Sequence, residues 1–355
     1  MVIDNDNQVI CSVRLINFKK EGEKRQMLSK KIKIMFLAIL IVLSLFTIFG
    51  VQSSAKTIIR FSSAFQPGHI LCIAAEHFKD IVESRSNGEI EVQLFLGGVM
   101  GSEEEETESV SIGGVEMLSG GPGHLKFYAP EYMFFVSPFV MRDWNQWKAV
   151  WNGKLGQEVQ DIMAEKGNVK VLGVLYRGKR NFTSNKPIYT PEDVQGLKLR
   201  LPPNPTWIAC WKEIGASPTA IALPELFSSL QLGVADASEG EVSQIQSFHL
   251  NEVQKYLTLT GHDISPGNLV INKKFFDNLS EKNQKILSDA GKETGEWATQ
   301  QTLEGETQIL VDLQKKGMIV VIPDQKAFSE KVKPAIDKLF ETEWPVATWE
   351  EILSY

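Results

Sequence analysis

Apolar positions divide the chain into a short leading part and a long alternating part. Ile34 to Val51 reads IMFLAILIVLSLFTIFGV, with no charge in it. From Thr57 onward, strand and helix periods take turns. Thr57–Ser62 predicts a strand. Ile70–Arg85 carries Leu71, Ala74, Ala75, Phe78, Ile81 and Val82 at helical spacing, and Asn87-Gly88 separates it from a period-two strand, Ile90–Leu96. Gly101-Ser102 opens another helix whose first turn is Glu103 to Glu106. Carboxylates are favoured there because the free backbone amides of a helix start face them, so the acidic run implies no metal. Val169–Tyr176 is apolar but for Lys170, close to the continuous run of a strand covered on both faces. A strand at Leu197–Leu201, a helix at Pro205–Ile214, an extended piece at Pro218–Ala222, a helix at Leu223–Leu232 and a strand at Tyr256–Thr260 follow. Ser280 then caps a tract that reaches Lys316 without a proline, with Gly291, Gly295 and Gly305 as tolerated interruptions. A helix of about 35 residues is roughly 50 Å long, enough to run across two lobes. A strand at Met318–Ile322 and a helix at Gln325–Phe340 close the pattern. Strands alternating with helices predict an α/β protein.

The leading part has the shape of an export signal. Lys30, Lys31 and Lys33 precede the apolar run, and Ser53-Ser54-Ala55 follows it. A basic start, an apolar core and a small-residue exit describe a cleaved secretory signal peptide, which places the mature chain in the periplasm. Residues 1–55 are read as this signal with an overlong start, Met27 being the first residue of a signal of normal length. The alternative is an uncleaved anchor, for which the run is barely long enough. Residues 1–55 hold eight of the 37 basic and four of the 44 acidic residues, so the remainder carries 29 against 40, a net of −11. An acidic exported chain is a poor nucleic-acid partner. Its two remaining cysteines, Cys72 and Cys210, sit in helical apolar patterns and read as buried free thiols rather than a bridge.

No catalytic or metal frame stands out. His69, His77, His124, His249 and His262 form no His-x-x-x-His or His-Glu-x-x-His spacing. There is no Gly-x-Ser-x-Gly elbow and no phosphate loop. Gly120-Gly121-Pro122-Gly123 lacks dinucleotide spacing, and its proline removes an amide that a phosphate would need. The chain therefore reads as a non-enzyme without cofactor or metal, an exported enzyme with dispersed residues being the alternative.

The centre of the chain holds Gly178-Lys179-Arg180, Pro191–Pro202, Gly215–Thr219, Glu225–Gln231 and Val234–Glu239 in succession. In these it resembles the substrate-binding proteins of tripartite ATP-independent periplasmic (TRAP) transporters, the DctP family, whose members carry Gly-x-Arg-x-x-Thr-Ser, then Pro-Glu-Asp-x-x-Gly-Leu-Lys-x-Arg-x-Pro, Gly-Ala-x-Pro-Thr, a Glu-Leu/Val-Tyr/Phe…Leu-Gln helix and Val-Asp-Gly/Ala-x-Glu. The likeness runs over about the whole mature chain. It implies two α/β lobes around a ligand cleft, with lobe one as 56–177 plus 266–305 and lobe two as 178–265 plus 306–355. It also implies closure on a small carboxylate, and delivery by a monomer to membrane permease subunits. A sensory protein that hands its liganded state to a receptor is the alternative partner scheme.

The same resemblance implies the site. Arg200, in the apolar LKLRLP strand, would hold the ligand carboxylate through the parallel N–H groups of its guanidinium. Arg180 corresponds to a second pocket arginine. Many members have Gln-Glu-Asn where this chain has Ser238-Glu239-Gly240, so Gly240 would remove an amide donor and open space. Glu239 would either meet a ligand amine or brace Arg180. Phe65 and Trp207 fall at cleft positions, Gly121 replaces a polar side chain and Leu223 replaces an aromatic. Together these favour a guest with an apolar part over a heavily hydroxylated sugar acid.

Overall fold

The computed structural model describes residues 24–40 and 56–355. The chain forms two compact units, Met1–Ala55 and Lys56–Tyr355. In the first, residues 24–40 form a helix that is exposed along its length. The rest of the predicted apolar run and its Ser53-Ser54-Ala55 exit lie outside the described residues. Among the described residues no helix is long and apolar enough to cross a membrane.

The second unit is built on nine strands: β1 Thr57–Ser63, β2 Ile90–Leu96, β3 Met117–Gly120, β4 Val169–Ser184, β5 Lys198–Leu201, β6 Ser217–Ala220, β7 Ala237–Glu241, β8 Tyr256–Asn272 and β9 Ile319–Val321. Their order is β2-β1-β3-β8-β4-β7-β5-β6, with β9 also on β8. The two long strands β4 and β8 pair antiparallel from Val169↔Asn272 to Ser184↔Tyr256. Their ends take different neighbours. β3 pairs with the Asn268–Ile271 end of β8, and β7 pairs with the Arg180–Ser184 end of β4. One sheet therefore serves two lobes, with the β4–β8 ladder as the shared band. Both strands exceed their predicted lengths, because pairing of β4 with β8 carries the backbone through polar residues that sequence pattern reads as loop.

The long helix, Glu281–Lys315, has 35 residues and is unbroken, with Ser280 as its cap. It lies against β4. Its glycines make that approach possible: a Cβ on Gly291 would stand 2.5 Å from Leu172 Cβ, and one on Gly295 would run into the Val174 backbone. These glycines are thus contact points, not the mere interruptions the sequence suggests. Trp297 of this helix stacks on His77 of the Ile70–Arg85 helix, with ring centroids 3.9 Å apart. Trp144, Trp147 and Trp151, one helical face, stack successively at 4.8 and 5.2 Å, and the last two meet Phe135 edge to face. Cys72 and Cys210 are both free and buried.

Replacing Gly291 by alanine should cost about 1–3 kcal/mol or more through overpacking. Gly305→Ala, with nothing within 4 Å of the new methyl, should stabilise by about 0.5–1 kcal/mol. Denaturant titration of both variants checks this, and equal effects would mean the helix is not seated this closely.

Candidate functional site

A cavity opens where β4, β5, β8 and the start of the Pro205–Ile214 helix come together. Arg177, Arg180 and Arg200 all line it. Arg177 and Arg180 are three residues apart, a spacing that would send them to opposite faces of a regular strand. A register shift between Tyr176 and Lys179, with Gly178 at φ 117, inserts the extra step that brings both to the cavity. Trp207 is set by its helix start: Asn204 caps it, accepting from the Thr206 and Trp207 amides, and Pro205 follows the cap.

The three arginines differ in what they hold. Arg180 is consumed by the protein. Its Nε donates to Glu239 Oε2 at 2.5 Å, its Nη2 to Glu239 Oε1 at 2.9 Å and its Nη1 to Glu241 Oε2 at 2.8 Å. Its guanidinium also lies 4.5 Å from the Trp207 ring centre. Arg177 donates from Nε to the Pro266 carbonyl, stands over Phe65 at 5.1 Å and has Nη1 3.3 Å from Glu241 Oε1. Arg200 is 1% exposed and makes one bond, from Nε to the Ile221 carbonyl at 3.0 Å. Its Nη2 is buried without a hydrogen-bond partner among the described residues. Burial pushes the Arg200 pKa down to about 10, with Glu239 opposing and Arg180 adding to the fall.

Carboxylates complete the network. Burial alone would raise Glu239, but Arg180 and His262 outweigh it and hold it at about 2. Glu241 is likewise held well below the usual range: against the burial penalty stand Arg177, Arg180 and His69, whose Nε2 is 2.9 Å away. His69 and His262, both buried, are shifted down by burial, against the pull of their carboxylates. Glu239 and Glu241 both pair with Arg180, and Glu241 also with Arg177, whereas no carboxylate lies within ion-pair distance of Arg200 among the described residues. Asp263 also lines the cavity, and burial raises it to about 7, with Arg180 opposing and Glu239 adding to the rise. Across the cavity, burial raises Glu106 to about 9, with Glu103 adding to the rise, while Glu103 Oε1 accepts from the Gly121 amide at 3.0 Å.

Arg200, Arg180, Trp207, Phe65 and Gly121 thus lie around one cavity, as does Leu223. Two residues singled out from the sequence do not line it. Glu239 is turned into the Arg180 network as a brace, since residues 239 and 241 share one face of β7 and both point at Arg180. Gly240 opens no space, because a Cβ there would sit 2.6 Å from the Gln244 side chain. Arg177, Asp263 and Gln244 also line the cavity and carried no motif. Arg177 directly precedes the Gly-x-Arg motif, and a bulge glycine beside two arginines was the available signal.

A carboxyl whose pKa is raised on folding stabilises the fold at low pH. That contribution is whole below the unfolded value near 3.9 and is lost as pH rises through the folded value, here about 7. Asp263→Asn removes this dependence, so the melting temperature of the variant relative to the parent should climb between pH 5 and pH 8. A constant difference across that range would show that Asp263 is not perturbed.

Over residues 61–343 the chain matches the family described as bacterial extracellular solute-binding protein, family 7, or DctP. A solute-binding protein of Verminephrobacter eiseniae is 32% identical over 303 residues, covering 85% of this chain and 90% of the relative. The 2,3-diketo-L-gulonate-binding periplasmic protein YiaO of Escherichia coli is 30% identical, covering 84% and 91%. Among solved structures, a TRAP periplasmic solute-binding protein from Polaromonas sp. JS666 bound to D-erythronate superposes with a TM-score of 0.78 at 30% identity, over 84% of this chain and 98% of that one. One from Roseobacter denitrificans with bound L-galactonate gives 0.78 at 28%, over 84% and 99%. With a family match over most of its length and two-lobed relatives along the whole second unit, this chain belongs to the DctP family of bacterial extracellular solute-binding proteins.

Proposed function

We propose that the protein captures an organic-acid anion in the cleft between its lobes and hands it to the permease of a TRAP-type transporter. The observation that carries this is Arg200, a buried cation on the wall of the cavity whose Nη2 has no hydrogen-bond partner among the described residues. Leaving such a charge unpaired is costly, and a carboxylate guest offsets that cost through a charge-assisted bond. Apolar walls at Phe65, Leu118, Leu223 and Val136 suit a short carbon skeleton beside that carboxylate. The acids held by relatives, D-erythronate and L-galactonate, have this chemistry with hydroxyls added.

Lobe one is assigned as 56–177 plus 266–305 and lobe two as 178–265 plus 306–355. This division is supported by the register shift at Tyr176/Lys179. Residues 1–55 are assigned as a cleaved export signal, which delivers a monomer to the periplasm. The role is binding rather than catalysis, in keeping with a family of solute-binding proteins.

Calorimetry on the purified protein tests the site. Arg200→Ala should weaken organic-acid binding at least 100-fold with the fold intact, and Arg200→Lys should also bind poorly because an ammonium cannot present two parallel donors. Either variant binding like the parent would overturn the assignment. If Asp263 faces the guest, raising the pH from 6 to 8 should weaken binding of the anion as that carboxyl ionises, and Asp263→Asn should remove the effect. Titration at the two pH values reads it directly.

A further inference from the structure

Strand β7 carries a glycine, Gly240, between the two carboxylates of the arginine network, and a neighbouring side chain takes the space beside it. An ideal Cβ on Gly240 would lie 2.6 Å from Gln244 Nε2 and 2.9 Å from its Cδ. Gln244 belongs to the Val242–Ser247 helix, is 2% exposed, and lines the cavity. Its amide donates one N–H to the Glu239 carbonyl at 3.3 Å, the same oxygen that accepts from Arg180 Nη2. The amide therefore stands beside the arginine network. That is the one hydrogen bond its side chain makes among the described residues.

A primary carboxamide has two N–H groups and a carbonyl with two lone pairs. One N–H is used here. The second N–H and the carbonyl have no hydrogen-bond partner among the described residues, and the side chain lines the cavity, so both are open to a guest. An uncharged group cannot add to the selection for negative charge. It can give and accept a hydrogen bond at once, and a hydroxyl is the guest group that matches this. A site that hydrogen-bonds a hydroxyl rejects the analogue lacking it far more strongly than an apolar site discriminates by size.

We propose that Gln244 is a specificity-determining residue that reads a hydroxyl of the bound acid, and that the absent side chain at Gly240 is what lets it reach the cavity. This rests on the carboxylate-binding reading above. In that arrangement Arg200 selects the acid and Gln244 selects its hydroxylation.

The test is calorimetric titration of the purified protein with D-erythronate and L-galactonate, and with butanoate and hexanoate as acids of the same chain lengths without hydroxyls. The parent should prefer the hydroxylated acids. Gln244→Ala should weaken them about tenfold while shifting the plain acids less than twofold. Gly240→Ala pushes the amide aside and should give the same split, and the double variant should lose no more than either single variant. Circular dichroism checks each fold. If Gly240→Ala does not fold, the split in Gln244→Ala decides alone. A parent that prefers the plain acids, a Gln244→Ala variant that weakens both classes equally or neither, or additive losses in the double variant would overturn the proposal while leaving the carboxylate reading in place. A parent that binds none of the four acids would overturn both.

Discussion

Three guanidinium groups crowd into a space that water scarcely reaches, and everything around the cavity is arranged to make that tolerable. Taking an ion out of water costs several kcal/mol even after the protein relaxes. The chain meets most of that cost internally, by setting Glu239 and Glu241 on one face of β7 and aiming both at Arg180. Arg180 so becomes a structural cross-link between β4 and β7. Arg200 is handled differently. It sits on the short strand β5 with a single carbonyl for company. The division is physical: one cation is satisfied so that strands hold position, and another is left for something from outside.

The same network ties the two ends of the sheet together. His69 caps the Ile70–Arg85 helix, accepting at its Nδ1 from the Leu71 amide, while its Nε2 faces Glu241 on β7. Arg177 meets that same carboxylate from β4. These groups are almost fully buried. Moving the helix away from β7 would expose a carboxylate, an imidazole and a guanidinium together, so the contact has little middle ground between made and broken.

How legible this was depended on where apolar periodicity was present. The Ile70–Arg85 helix, the first strands and the long helix follow from spacing and caps, and the α/β class follows from their alternation. β7 could not be read that way. Its sequence ASEGE holds no large apolar residue, yet every residue is buried, because ion pairing of Glu239 and Glu241 replaces apolar burial as the stabilising term. The part of β8 beyond Thr260, with Gly261, Pro266 and Gly267, breaks strand propensity and is held by β4. At the site, the resemblance pointed to Arg200 and Arg180. It could not show that Arg180 is spent inside the protein, that the bulge turns Arg177 inward, or that Gln244 fills the space above Gly240. The first two depend on contacts between distant segments of the chain, and the third on how a side chain four residues further on is turned.

The position of β3 has a consequence for how the chain comes together. Its four residues dock on β1 at one edge and on Asn268–Ile271 of β8 at the other. Some 150 residues are therefore synthesised before its second edge finds a partner. Until then the early sheet presents bare amides and carbonyls, an invitation to pair with another chain. A topology of such long-range pairings also assembles slowly. Truncated products that stop short of Asn268 are for this reason the forms most prone to stick to one another.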